Sequence, residues 1–179
     1  LFLDLQSGQS RSRDDYETRV LDSEVRFEDD RTVSGWNKLH GWVDRKLYYV
    51  IRFNSPVLGR TLMPGDPRNK AGKYVLDFGG GEELLVKVAF SYVGIDGARA
   101  AIEAELPGWD FDAVRDAARK CWRDRLCVAS VEGSTAQKTA YYTSLYHLLL
   151  QPNNVADIDG RYCGADGNIH DSETGKYYS

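Results

Sequence analysis

The stretch Leu47-Tyr48-Tyr49-Val50-Ile51-Arg52-Phe53 sets Leu47, Tyr49, Ile51 and Phe53 in alternation against Tyr48, Val50 and Arg52. Successive side chains of an extended chain point to opposite faces, so this pattern predicts a strand with at least one buried face. The same period of two appears upstream, where Leu1, Leu3 and Leu5 alternate with Phe2, Asp4 and Gln6. Glu24–Asp29 and Thr32–Trp36 read as shorter strands separated by an acidic turn at Asp29-Asp30. Downstream, Asn54–Lys73 reads as a loop, because Pro56, Pro64 and Pro67 with Gly59, Gly65 and Gly72 interrupt pairing. Lys73–Phe78 and Glu83–Tyr92 then read as a hairpin whose turn, Gly79-Gly80-Gly81, supplies positive backbone angles. Strands at this spacing with no helix among them predict part of an antiparallel β-sandwich and not a parallel α/β sheet.

The period changes after Gly94. Ala98–Leu106, rich in alanine and glutamate, predicts a short helix closed by Pro107-Gly108. Asp110 is placed to cap a second helix, on which Phe111, Val114, Ala118, Cys121, Trp122 and Leu126 recur at steps of three and four and form one stripe. Cys127–Val131 reads as extended. Ser134-Thr135-Ala136-Gln137 is a capping-box pattern, and it opens a third helix that Gln151-Pro152 stops. That helix carries Tyr141, Tyr142, Leu145, Tyr146, Leu148 and Leu149, so burial of Leu145 and Leu149 on several sides is expected, with further helices to cover them. The tail Val155–His170 reads as one irregular hairpin with turns at Asp159-Gly160 and Asp166-Gly167.

Composition narrows the class. The 179 residues make one full domain or pieces of two, with 42% hydrophobic and 28% charged residues in the globular range. A net charge of -4 gives no global attraction for a phosphate backbone, so nucleic acid is not an expected partner. No apolar run approaches the roughly 20 residues of a membrane span. The chain opens on Leu1-Phe2-Leu3, keeps its single methionine at Met63 and shows no signal-peptide pattern, which together suggest an internal fragment of a longer protein.

Several local patterns invite a chemical reading. Asp157, Asp159 and Asp166 are interleaved with glycine, but an EF-hand register begun at Asp157 puts Arg161 at the fifth position, Tyr162 at the sixth and Asn168 at the twelfth. Glycine and a bidentate glutamate are needed at the last two, so turn chemistry is the better reading. His40, His147 and His170 are too far apart for a local metal motif. His147 stands out because it precedes an aspartate-rich polar loop, where a pocket can open, although a hydrogen-bonded core histidine is the plainer reading. The three cysteines, Cys121, Cys127 and Cys163, show no two-residue metal spacing and read as free thiols, with a Cys121–Cys127 bridge geometrically demanding. Gly79-Gly80-Gly81 lacks the lysine and helix of a phosphate loop. Trp36, Trp42 and the eleven tyrosines suit sheet cores as well as sugar stacking.

Longer strings carry a resemblance. Ser91-Tyr92-Val93-Gly94-Ile95-Asp96-Gly97-Ala98-Arg99-Ala100, then Glu105-Leu106-Pro107-Gly108-Trp109-Asp110-Phe111-Asp112, precede Thr143-Ser144-Leu145-Tyr146-His147, Gln151-Pro152-Asn153 and Asp157-Ile158-Asp159-Gly160-Arg161-Tyr162. In this order they resemble the calcium-dependent α-mannosidases of glycoside hydrolase family 92. Glu28-Asp29-Asp30-Arg31-Thr32-Val33-Ser34-Gly35, Gly41-Trp42 and Tyr48-Tyr49-Val50 are similar to that family's amino-terminal domain. Asn153-Asn154-Val155-Ala156 is more polar than the family pattern.

The resemblance implies the later part of an amino-terminal β-sandwich over residues 1–94 and a helical linker over 95–133. Residues 134–179 would start an (α/α)6 catalytic barrel. It implies an exo-acting, inverting glycosidase of secreted or periplasmic location, whose partners are α-mannoside glycans such as N-glycan mannose and the remainder of the same enzyme. Its carboxylate acid and base would stand about 6.5 to 9.5 Å apart. Those carboxylates and the ligands of the calcium cofactor are expected outside this chain, so none of its residues is assigned a catalytic or metal role. His147, Asp157 and Asp159 are expected near the pocket mouth, positioning sugar or neighbouring loops. A non-catalytic carbohydrate-binding sandwich with a helical appendage is the competing reading, and it would expose several of Trp36, Trp42, Tyr48 and Tyr49 on one open face.

Overall fold

A computed structural model of the chain describes residues 1–6, 20–39, 44–64, 72–80 and 83–178. His40, Gly41, Trp42, Gly65, Pro67 and Gly81, used in the readings above, lie outside them. The chain divides into two compact units, Leu1–Pro107 with Val155–Tyr177, and Gly108–Asn154 with Tyr178–Ser179.

The first unit is built on two antiparallel sheets. Strands β2 (Val20–Phe27), β3 (Thr32–Leu39), β4 (Arg45–Phe53) and β7 (Val86–Ser91) lie in the order β2-β3-β4-β7. Strands β1 (Phe2–Asp4), β5 (Gly59–Met63) and β6 (Lys73–Asp77) form a smaller sheet in the order β1-β6-β5. The period of two read from Leu47–Phe53 is realised directly. Tyr49, Ile51 and Phe53 point into one cluster with Leu5, Val20, Val33 and Leu76, and Leu3, Val25, Phe27, Tyr74 and Phe78 pack around it. Both sheets contribute to this cluster, which makes it the core of a sandwich.

Two readings of the sequence are corrected here. Strand β5 lies inside the segment expected to be a loop, with Pro56 and Pro64 outside its ends. It is an edge strand of the smaller sheet, where flanking prolines limit its length without preventing pairing to β6. The expected hairpin of Lys73–Phe78 with Glu83–Tyr92 does not form. Strand β6 pairs with β1 and β5, whereas β7 pairs with β4 in the other sheet. Alternation identifies a strand but not its partner. Here Asn54, just after β4, holds the approach to β7: its Nδ2 donates to the Glu83 carbonyl at 3.0 Å and its Oδ1 accepts from the Leu85 N–H at 2.8 Å.

The opposite face of the larger sheet carries helix α1 (Ile95–Glu105). Val50, pointing away from the sandwich core, is fully buried against Ala98 and Ile102. Polar contacts hold the helix at its middle and its C-terminal end. Arg99 donates to Glu28 at 2.7 Å, Arg52 to Glu103 at 3.0 Å, and the Lys87 ammonium to the Leu106 carbonyl at 2.5 Å, where the helix leaves carbonyls unpaired. After the second unit the chain returns as a hairpin, β8 (Arg161–Cys163) paired with β9 (Ile169–Asp171). Gly160 and Gly167 take positive φ values of 86° and 78°, as the two Asp-Gly turns require.

The second unit consists of helices α2 (Phe111–Leu126) and α3 (Thr135–Leu148). Asp110 caps α2 by accepting from the Ala113 N–H, and Ser134 with Gln137 forms the full capping box of α3. Trp122 meets Tyr146 with ring centroids 4.7 Å apart. Cys127–Val131 is an irregular turn and not an extended segment. The expected burial of α3 is also corrected: Leu145 is half-buried, but Leu149 is 40% and Leu148 72% exposed. Within this unit α2 is the one helix beside α3, and it covers the side bearing Tyr146. All three cysteines are free thiols.

The sandwich depends on Gly35. From β4 the Tyr49 hydroxyl reaches across β3 to the Glu24 carbonyl on β2, 3.1 Å away. A Cβ at position 35 would lie 2.0 Å from that carbonyl oxygen and 2.6 Å from the Tyr49 hydroxyl. Gly35→Ala should therefore lower the unfolding free energy by at least about 1–3 kcal/mol in denaturant titration. Unchanged stability would show that the Tyr49 bridge contributes nothing.

Candidate functional site

The three residues expected near a pocket mouth take three different positions. Asp157 is half-buried in the first unit, where its Oδ2 accepts a hydrogen bond from the Ser91 hydroxyl at 2.7 Å. Its main chain closes a turn: the Asp157 N–H donates to the Arg161 carbonyl at 2.8 Å, and its carbonyl accepts from the Gly160 N–H at 2.9 Å. Asp159 stands on the exposed side of that turn. Its carboxylate accepts from the Arg161 N–H at 3.0 Å and from Arg161 Nε at 2.7 Å. His147 belongs to the other unit, in the last turn of α3, with its ring 5.8 Å from that of Tyr146.

The two aspartates titrate in opposite directions. Burial pushes the Asp157 carboxyl above the ordinary aspartate range, and the nearby charge of Asp159 adds to this, although the Ser91 hydrogen bond opposes both. Hydrogen bonds from the Arg161 backbone and side chain hold Asp159 below that range. Asp159 is thus a fixed negative charge beside a fixed positive one. A surface exposing a carboxylate and a guanidinium suits a neutral polyhydroxylated ligand, since one group accepts and the other donates.

Sequence reading missed Ser91 and Gly97. Ser91 is the polar side chain at the end of β7, and its Oγ accepts from the Val93 and Gly94 N–H groups at 2.9 and 3.1 Å. Gly97 sits in the first turn of α1, where glycine weakens a helix. The exception has a packing cause: a Cβ there would stand 1.9 Å from Asp157 Oδ2. Sequence offered no signal for it, because the expected helix began at Ala98 whereas α1 begins at Ile95.

A calcium ion would need several oxygen ligands converging on one point. Among the described residues no group of three or more His, Cys, Asp and Glu side chains comes together in that way. Asp157 faces Ser91, Asp159 faces Arg161, and Asp166 is taken up by Asn168 and His170. These residues do not fit a calcium site.

Trp36, Tyr48 and Tyr49 do not make an open platform. Tyr49 is buried in the core, Trp36 and Tyr48 are half-buried, and the Lys46 ammonium lies 3.8 Å over the Trp36 ring.

Asp157 gives a pH-dependent expectation with a definite sign. Its raised value means that folding disfavours the charged form, so the cost is present at neutral pH and disappears as pH falls through the folded value to the unfolded one, about 3.9. Asp157→Asn keeps an acceptor for Ser91 without the charge. In denaturant titration it should be at least as stable as the parent at pH 7, with any gain vanishing by about pH 3. Asp157→Ala, which strands the Ser91 donor, should cost about 1–3 kcal/mol at neutral pH. Equal losses for both variants would contradict this account.

Comparison with known proteins places this geometry. The glycosyl hydrolase family 92 catalytic domain profile matches residues 97–179. An uncharacterized secreted glycosidase of Arthroderma benhamiae is 27% identical over 93 residues, which cover 48% of this chain and 12% of that protein. The family GH92 α-mannosidase BT3965 from Bacteroides thetaiotaomicron superposes with a TM-score of 0.82 at 27% identity, over 90% of this chain and 24% of that one. It has also been solved in complex with mannoimidazole. The family GH92 inverting mannosidase BT2199 from Bacteroides thetaiotaomicron VPI-5482 gives a TM-score of 0.73 at 25% identity, over 88% of this chain and 24% of that one. The match therefore spans about a quarter of each solved relative. Residues 97–179 thus match the catalytic-domain profile of glycoside hydrolase family 92, and the antiparallel strands, helices and returning hairpin are similar to part of solved family GH92 mannosidases.

Proposed function

We propose that this chain is part of an exo-acting α-mannosidase that removes terminal α-linked mannose with inversion of configuration. The observation that carries the reading is the likeness, over nine-tenths of the chain, to an α-mannosidase that has been solved with mannoimidazole. Inverting hydrolysis uses a carboxylic acid and a carboxylate base on opposite sides of the scissile bond, about 6.5 to 9.5 Å apart with water between. Asp157 and Asp159 are already committed to Ser91 and Arg161, which argues against that work for either. The acid, the base and the ligands of a calcium cofactor are assigned to parts of the enzyme outside this chain. Calcium there would orient sugar hydroxyls.

In this reading residues 1–94 are sandwich, 95–133 linker, and 134–179 the beginning of an (α/α)6 barrel. Asp157 and Asp159 in the first unit, and separately His147 in the second, are assigned to positioning sugar or neighbouring loops. Substrates are α-mannoside glycans such as N-glycan mannose, met outside the cytoplasm. The secreted glycosidase among the relatives supports that location, and among the described residues no helix is long and apolar enough to cross a membrane. The competing reading, a carbohydrate-binding module, is disfavoured by the buried Tyr49 and the lysine-covered Trp36.

The test is release of mannose from an α-linked aryl mannoside, with and without calcium, by this chain and by the full-length protein. Calcium-dependent turnover is expected from the full-length protein and none from the chain alone. Turnover by the chain would put the catalytic carboxylates inside it, and turnover by neither would remove the mannosidase reading.

A further inference from the structure

We propose that Ser91 and Gly97 are positioning residues for the turn Asp157–Arg161, so that the sandwich and its helix set where Asp159 and Arg161 meet a sugar. The inference rests on the α-mannosidase reading for its ligand, but its geometry is independent of that reading.

A serine hydroxyl has one proton and two lone pairs. Ser91 Oγ accepts from the Val93 N–H at 2.9 Å and from the Gly94 N–H at 3.1 Å. Its single proton is left for Asp157 Oδ2, 2.7 Å away. The direction of that proton is therefore fixed by the backbone between β7 and α1, and Ser91 is only 3% exposed, so water does not compete for it. Gly97 completes the seat. An added Cβ would approach Asp157 Oδ2 to 1.9 Å and Ser91 Oγ to 2.8 Å, and a helix has little freedom to move aside.

The seat transmits its position through the main chain. The Asp157 carbonyl accepts from Gly160, the Gly160 carbonyl accepts from the Ser172 N–H at 3.0 Å, and the Asp157 N–H donates to Arg161. Moving the Asp157 carboxylate thus moves a turn whose exposed side is the Asp159–Arg161 pair. That pair is 49% and 43% exposed and has no net charge, which suits the vicinal hydroxyls of a neutral sugar better than an ionic ligand. Ser91 acts through Asp157 and never touches the ligand.

The experiment is a double-mutant cycle in the full-length protein with Ser91→Ala, Asp157→Ala and both together. Each single variant should raise KM for an aryl mannoside about tenfold and leave kcat within about twofold. The double variant should be no worse than Asp157→Ala, because both remove the same link. Hydrogen exchange at the Gly160 and Arg161 amides should quicken in all three, and Ser91→Thr, which keeps the hydroxyl, should restore both readouts. If Ser91→Ala does not fold, Ser91→Cys takes its place as a weak donor of similar size. Additive effects, a loss confined to kcat, or unchanged amide exchange would overturn the proposal. If the parent releases no mannose, the mannosidase reading fails, while amide exchange still decides the link between Ser91 and the turn.

Discussion

Val50 lies fully buried between the larger sheet and the apolar side of α1, while its neighbours Tyr49 and Ile51 fill the sandwich core on the other side. A central strand covered on both faces has no solvated side to surrender, so any shift in its register would exchange one packed face for the other. The smaller sheet must lie on one side and α1 on the other. Burial of this kind, at roughly 25 cal/mol for each Å² of apolar surface, outweighs the exposed ion pairs of Arg99 and Arg52, each worth about 0–1 kcal/mol. The ion pairs set orientation more than stability.

Much of this was legible. The alternation over Leu47–Phe53 named the inward residues, and Asp110 and Ser134 marked the starts of two helices because their capping chemistry is local. Partner choice was not legible. The Lys73–Phe78 and Glu83–Tyr92 segments belong to different sheets, and the side chain that directs the second of them, Asn54, precedes it by about thirty residues. Strand β5 was hidden by prolines that mark its limits. The apolar run in α3 was read as a buried helix, although an apolar sequence records what a helix can be covered by and not whether this unit supplies it.

The site divides in the same way. Asp157 and Asp159 stand out in the sequence because they are interleaved with glycine, and the structure forms the turn that this pattern predicts. Nothing in their immediate neighbourhood distinguishes the seated aspartate from the exposed one. That difference comes from Ser91, distant in sequence, and from a glycine in a helix whose meaning appears only once Asp157 is placed against it.

The first unit is discontinuous: Gly108–Asn154 intervenes between α1 and the hairpin that docks beside it. Both sheets and α1 come from residues that leave the ribosome first, so their core can assemble before the hairpin is synthesised. Docking must then close a loop between positions 91 and 157, whose entropic cost rises only with the logarithm of its length. The order of synthesis thus makes the hairpin a late, separately cooperative element, held by a few polar contacts on a scaffold already folded. The residues of the sandwich core include none from the hairpin, so release of the hairpin would leave that core intact.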